Sequence, residues 1–289
     1  MKAWNRIAAL LLSTAPALAL AASPTINIVA AENFYGDLAQ QLGGSHVHVS
    51  SIMSNPDQDP HLFEASVSTA KALSAASLVV YNGIDYDPWM DKLLKAAKSD
   101  KRKSIVAGEL LHKKTGDNPH LWYDPATMPA VARAITAELQ KEDPANKAEY
   151  DKKLQTLLVS LKPVNEKIQQ LRSKYNGTPV TATEPVFGYM AAALGLKMRN
   201  EKFQLAVMND TEPSASDIAA FENDLKTHQV KVMFYNSQAS NQSAKRVQKV
   251  ALQARVAVVG VTETEPAGKH YQDWMLGQLN ALEKALASK

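Results

Sequence analysis

The 289-residue chain contains no cysteine, and that absence removes several possibilities at once. No disulfide can cross-link it, so its stability has to come from packing. No thiolate is available for copper(I) or iron–sulfur chemistry, and no cysteine follows the N-terminal apolar stretch to carry a lipid. Long apolar runs are equally scarce. Beyond that first stretch, nothing approaches the roughly twenty residues that a membrane-spanning helix needs. An excess of charge of one sign is missing too: 32 basic residues face 29 acidic ones. Cleavage of the leader would remove Lys2 and Arg6, leaving 30 against 29. The basic residues are scattered, with Lys101-Arg102-Lys103 the densest run, so broad attraction to nucleic acid or an anionic membrane is not expected. Three catalytic signatures are also absent: the Gly-x-Ser-x-Gly elbow, the phosphate-cradling glycine loop and the His-Glu-x-x-His pair.

What is present begins with an export signal. Lys2 and Arg6 form a basic start, Ile7 to Leu12 open an apolar stretch, and Ala19-Leu20-Ala21 supplies the small-x-small pattern of a cleavage site. Some 15 apolar residues fall short of a bilayer core of ~30 Å. Residues 1–22 are therefore expected to be removed after Ala21 or Ala22, leaving a freely diffusing protein in a bacterial periplasm.

The rest of the chain alternates apolar, β-rich runs with helical patterns in two regions. Ile26-Asn27-Ile28-Val29-Ala30 and Leu78-Val79-Val80-Tyr81 read as buried strands, with helices at 34–42 and 88–97. Val180-Thr181-Ala182-Thr183, the run 230–235 and the run 256–260 play the same part later, with helices at 186–194 and 272–286. Such alternation predicts an α/β fold of mainly parallel sheets flanked by helices. Between the regions, Asp143-Pro144 offers a helix start. Tyr150, Leu154, Leu157, Leu161, Val164, Ile168, Leu171 and Tyr175 then make one apolar stripe, closed by Asn176-Gly177. At 1.5 Å per residue this strut would span about 45 Å, with a kink at Pro163. The expected divisions are 23–143 for the first lobe, 144–176 for the connecting helix and 177–289 for the second lobe.

Two of the seven histidines stand in nearly the same phrase, Asp59-Pro60-His61-Leu62-Phe63 and Asn118-Pro119-His120-Leu121-Trp122. A proline fixes the backbone before each ring, and the aromatic after it can hold the imidazole still. Either histidine alone reads better as a satisfied half-buried side chain than as a ligand; the repetition points to a pair of ligands. Glu184 follows one strand of the second region and Glu263 another, the positions beyond carboxyl ends where α/β sheets bind ligands. Taken singly, Glu184 could equally be a helix-start carboxylate and Glu263 a solvated loop acid.

The chain resembles the metal-binding solute receptors of ABC importers, the zinc and manganese receptors. The resemblance rests on Asp59-Pro60-His61, Asn82-Gly83-Ile84-Asp85 leading to Trp89, Asn118-Pro119-His120-Leu121-Trp122 with Asp124-Pro125, Glu184 with Phe187-Gly188-Tyr189, Glu212-Pro213-Ser214, and Val259-Gly260-Val261-Thr262-Glu263. It implies two α/β lobes joined by one long rigid helix, with a metal in the cleft between them. It also implies four ligands, falling here on His61, His120, Glu184 and Glu263. The fourth is commonly aspartate, and Glu265 lies close enough to compete for that role. The histidine-rich loop of many zinc receptors is missing, since the stretch leading to His120 holds only His112. The cargo would be Zn2+ or Mn2+, with zinc slightly favoured by the general order of affinities. The partner would be the membrane permease of a metal importer; the receptor would act as a monomer without catalysis. A secreted metallohydrolase and a metal-stabilised adhesin are the alternatives.

Overall fold

A computed structural model describes residues 25–55, 63, 66–238 and 241–288. The expected leader lies outside the described residues. Among them, no helix is long and apolar enough to cross a membrane.

The first lobe runs β1 (Ile26–Glu32), α1 (Asn33–Gly43), β2 (Val47–Met53), α2 (Val67–Ala75), β3 (Leu78–Tyr81), α3 (Pro88–Ala96), β4 (Lys103–Val106), α4 (Ala107–Leu110) and α5 (Thr127–Glu142). Helices α6 (Lys147–Ser160) and α7 (Lys162–Tyr175) follow. The second lobe runs β5 (Pro179–Ala182), α8 (Gly188–Ala193), β6 (Lys197–Arg199), α9 (Glu201–Met208), α10 (Ala215–Lys226), β7 (Val232–Asn236), α11 (Gln242–Gln253), β8 (Ala257–Val261) and α12 (Tyr271–Ala287). Each lobe holds a four-stranded sheet, ordered β2-β1-β3-β4 and β6-β5-β7-β8. Every strand pair is parallel, as the strand–helix alternation predicts.

Side chains on the central strands alternate between two environments. Ile28 and Ala30 of β1 enter one large core, whereas Val29 and Ala31 enter a separate cluster with Leu73, Val79 and Met90 beneath α2 and α3. In the second lobe Val232 and Phe234 join the same large core, and Met233 turns to a cluster with Phe203, Phe221 and Val247. The inner faces of the two sheets therefore share one hydrophobic core, and only the outer faces keep their own.

Polar contacts reinforce that seam. The Asn33 side chain donates to the Glu265 carbonyl at 2.7 Å and accepts from the Glu265 N–H at 2.9 Å. Asp37 accepts from the Tyr271 N–H at 3.0 Å, so a first-lobe carboxylate caps the start of α12. Tyr271 donates its hydroxyl to the Trp122 carbonyl, and Tyr123 donates to the Thr262 carbonyl.

The strut forms as two consecutive helices. A 3₁₀ turn at Pro144–Asn146 precedes α6, and the helix is interrupted at Leu161, two residues before Pro163. Leu161 keeps right-handed helical angles, and its N–H still reaches the Leu157 carbonyl at 3.2 Å. The break is thus confined to the bond that Pro163 cannot donate. Tyr150, Leu157, Leu161, Val164, Ile168 and Leu171 along the stripe are buried. The α6 half packs on α1 and α5, and the α7 half packs on α12, so the strut leans on both lobes. Asn176 and Gly177, the latter at φ 80°, end it as expected. Because Ile168 is 3% exposed within the shared core, Ile168→Ala should lower unfolding stability by about 2–5 kcal/mol. Urea titration measures it, and a loss near zero would mean that the strut is not packed as described.

Candidate metal centre

The residues of the centre lie beyond the carboxyl ends of the strands, on the side of the cleft. After β3 the chain turns through Gly83, Ile84 and Asp85 with φ of 72°, 47° and 66°. A β-branched residue rarely adopts that conformation, and holding one there costs about 1–3 kcal/mol. Asp87 holds the turn by accepting from the N–H of Asn82 at 2.7 Å and that of Gly83 at 2.8 Å. Asn82 is itself held by the Tyr35 hydroxyl and the Pro119 carbonyl. The result places Tyr86 beside His120, with ring centroids 6.1 Å apart. Burial first, then the charges of Glu263 and Glu32, push the Tyr86 phenol well above its ordinary pKa.

His120 is fully buried, and its ring meets Trp122 edge-on at 5.3 Å. Its Nδ1 lies 2.6 Å from Asn118 Oδ1. The Asn118 amide cannot be reversed, because its Nδ2 donates across the cleft to the Pro185 carbonyl at 2.8 Å. Nδ1 therefore carries the proton, and Nε2 is left as the basic nitrogen. This is how a ligating histidine is usually held. Nε2 faces Glu263 Oε2 at 3.4 Å, and among the described residues no donor reaches it.

Glu184 stands two residues past β5 and is 3% exposed. It caps no N–H of the 3₁₀ turn Pro185–Phe187 that follows; its Oε1 instead accepts from Asn236 Nδ2 at 3.3 Å. Glu263, two residues past β8, is fully buried. Its Oε1 accepts from the same Asn236 Nδ2 at 2.6 Å, and its N–H donates to Gln238 Oε1 at 2.5 Å. Neither is a helix-start or solvated acid. Glu265 points to different neighbours, with Asp37 and Asp273 near its carboxyl; burial first, then those charges, push it up to about 9.

The structure thus sets His120 of the first lobe against Glu263 of the second, with Asn236 linking Glu263 to Glu184. His61 lies outside the described residues; Phe63, two positions on, packs its ring 4.3 Å from Trp89. Among the described residues no three histidine, aspartate or glutamate side chains close around one point. A 370 Å³ cavity beside the centre is lined by Ile84, Asp85, Tyr86, Pro119 and Met208. Sequence reading passed over Asn236, Gln238, Tyr86 and the pair Glu32 and Asp87. Asn236 carried a usable signal, because it ends β7 where ligands bind.

Glu32, at the carboxyl end of β1, is fully buried beside Asp87. Burial first, then the Asp87 charge, raises Glu32 well above the ordinary carboxylate range. Burial also pushes Asp87 up to about 6, although its backbone hydrogen bonds lower it. The two N–H donors mark Asp87 as the anion of the pair and leave the proton on Glu32.

A family model for ZnuA, the periplasmic zinc-uptake complex component A, matches residues 28–285, and the chain belongs to that family. A metal ABC transporter substrate-binding lipoprotein of Streptococcus cristatus, ScbA, is 24% identical over 286 residues, covering 92% of this chain and 90% of that one. The manganese ABC transporter substrate-binding lipoprotein scaA of Streptococcus gordonii is 23% identical with the same coverage. Among solved structures, the periplasmic zinc binding protein TroA from Treponema pallidum superposes with a TM-score of 0.76 at 19% identity, over 91% of this chain and 100% of that one. That likeness is one of fold.

Both members of the Glu32–Asp87 pair bind protons more tightly in the folded chain than in the unfolded one. Their contribution is therefore most favourable at acid pH and is lost as pH rises through the raised values. Glu32→Gln keeps the size of the side chain and removes the ionisation. It should match the parent near pH 5 and melt higher than the parent at pH 9. Melting curves across that range test this; parallel curves would place the proton elsewhere.

Proposed function

We propose that the chain is an exported receptor that captures a divalent transition-metal ion, zinc or manganese, in the cleft between its lobes and delivers it to the membrane permease of an ABC importer. The observation that carries this reading is the buried Nε2 of His120, left as the basic nitrogen of the neutral ring by the Asn118 contact at Nδ1 and turned towards a carboxylate oxygen 3.4 Å away. Two acceptors so placed call for a cation between them. With an N–metal bond of about 2.05 Å and an O–metal bond of about 2.1 Å at a tetrahedral angle, the ligand atoms would lie about 3.4 Å apart.

The proposed ligands are His61, His120, Glu184 and Glu263. Two neutral imidazoles and two carboxylates balance a divalent charge, which matters where uncompensated charge is costly. Four protein donors leave no open position for an activated water, so binding rather than hydrolysis is the proposed chemistry. Release would follow when docking on the permease draws the ligands of the two lobes apart. The relatives named above are called lipoproteins. This sequence has no cysteine to lipidate, and the receptor is proposed to reach the periplasm through cleavage of residues 1–22 and to diffuse there.

His61→Ala and His120→Ala should each weaken zinc binding by at least about 100-fold in a competition titration with a chromogenic chelator, since each removes one of four donors. Wild-type affinity in both variants would overturn the ligand set. Zinc affinity should also fall as pH drops below about 6, because an imidazole must be unprotonated to coordinate. Equal affinities at pH 7.5 and pH 5 would contradict it.

A further inference from the structure

Asn236 is 2% exposed and sits between the two acids of the centre. Its Nδ2 reaches Glu263 Oε1 at 2.6 Å and Glu184 Oε1 at 3.3 Å. An amide nitrogen has two protons, one for each carboxylate. The amide is locked in this sense, because its Oδ1 accepts from the Gln238 N–H at 3.1 Å. Its own N–H is held by Thr183 Oγ1 at 3.2 Å. Reversal would turn a carbonyl oxygen against two carboxylates and an amino group against an N–H. The chain beyond β7 therefore presents a fixed pair of donors to the second-lobe acids.

We propose that Asn236 is a positioning residue that commits one oxygen of Glu184 and one of Glu263 to itself, so that the ion meets a four-coordinate site favouring zinc over manganese. The inference rests on the ligand set proposed above. Chelation by both oxygens of either glutamate would make Oε1 share its electron density between the ion and the Asn236 proton, weakening both contacts, so the amide biases each acid towards binding through one oxygen. Single oxygens from two acids, with two imidazoles, make the tetrahedral set that zinc accepts. Manganese is better served by additional oxygen donors, which bidentate glutamates would supply and this amide withholds. The oxygen of Glu263 that faces His120 Nε2 is Oε2, the one Asn236 does not hold. In the empty site the same two hydrogen bonds offset the repulsion between the carboxylates and keep them together for the ion.

The test compares Zn2+ and Mn2+ affinities and the visible spectrum of the Co2+ form in the full chain and in three variants. The parent should show the intense bands of four-coordinate cobalt. Asn236→Ala should bind zinc about 10- to 100-fold more weakly, the usual effect of removing a group that orients ligands. Its manganese affinity should change less, narrowing the zinc preference at least tenfold while the cobalt bands weaken towards higher coordination. Asn236→Asp keeps the acceptor for Gln238 and lacks the donors; it guards against simple collapse of the turn and should shift the preference in the same direction. A purely structural role would lower the melting temperature and both affinities together, with no change of spectrum. Weak six-coordinate cobalt bands in the parent would overturn the proposal, as would an unchanged preference and spectrum in both Asn236 variants. His120→Ala separates the two questions. Binding lost there with both Asn236 variants unaltered would sink this inference alone, whereas binding retained there would sink the ligand set.

Discussion

Two carboxylates and an unprotonated imidazole nitrogen cannot occupy one buried space without something to offset them. His120 and Glu263 are fully buried and Glu184 nearly so, and most of the surrounding structure can be understood as the means of keeping them there. Asn118 accepts a hydrogen bond from Nδ1 of His120 and so fixes the tautomer of the neutral ring. Asn236 brings neutral donors to both acids. Gln238 fixes the backbone of Glu263, and Trp122 fixes the plane of His120. Asn118, Asn236, Gln238 and Trp122 thus supply orientation through neutral groups.

The seam between the lobes bears on how far such a centre can open. The loop that carries Glu263 is fastened to the first lobe on both sides, through Tyr123 on Thr262 and through Asn33 on Glu265. It is also fastened to the second lobe through Gln238. Beneath it, Phe34, Trp122, Tyr123, Phe187, Phe234 and Trp274 belong to a single core. Separating two lobes that share an apolar interior exposes that interior to water, at a cost of about 25 cal/mol for each Å². A wide hinge motion is therefore disfavoured, and small displacements of individual ligands are the cheaper way to gain or lose an ion. The strut fits that view, because its two halves are packed against opposite lobes and its one break lies at a proline rather than at a flexible linker.

How much of this could be read from the chain alone depends on what each residue faces. The central strands β1, β3, β5 and β7 are buried on both faces and read as continuous apolar runs. Edge strands have one side open. Val47–Met53, Lys103–Val106 and Lys197–Arg199 carry polar or basic residues and gave no run to detect; of the four edges only β8 was apolar enough to be seen. The stripe from Tyr150 to Tyr175 was legible because its period matches a helix, and Pro163 gave the position of its break to within two residues. In the centre, the phrase around His120 was legible because proline and tryptophan constrain the ring locally. Asn236 offered only its place at the end of β7, a position where ligands bind, and nothing in the sequence told two acids from a turn as its partners. Glu32 was hidden for a different reason: a lone acid closing an apolar strand gives no hint of the Asp87 that faces it from fifty-five residues away.

The two sheets repeat one topology, and the repetition explains why the centre has its present composition. In each lobe the chain begins in the middle of the sheet, adds one edge, then crosses to the other side. That order leaves a crevice where the first and third strands of the lobe part, at β1/β3 and β5/β7. The second-lobe crevice holds Glu184 and Asn236, and β8 adds Glu263 beside them. The first-lobe crevice holds Glu32 and Asn82, with Asp87 behind. Equivalent positions thus carry acids in both lobes, but with different partners. Glu32 keeps its proton against Asp87, while the second-lobe acids are given amide donors. Had both crevices presented ionised acids to one cleft, their repulsion would oppose closure of the lobes over each other. Sharing one proton between Glu32 and Asp87 lowers the charge of the first-lobe crevice to that of one carboxylate, which the backbone N–H groups of Asn82 and Gly83 hold.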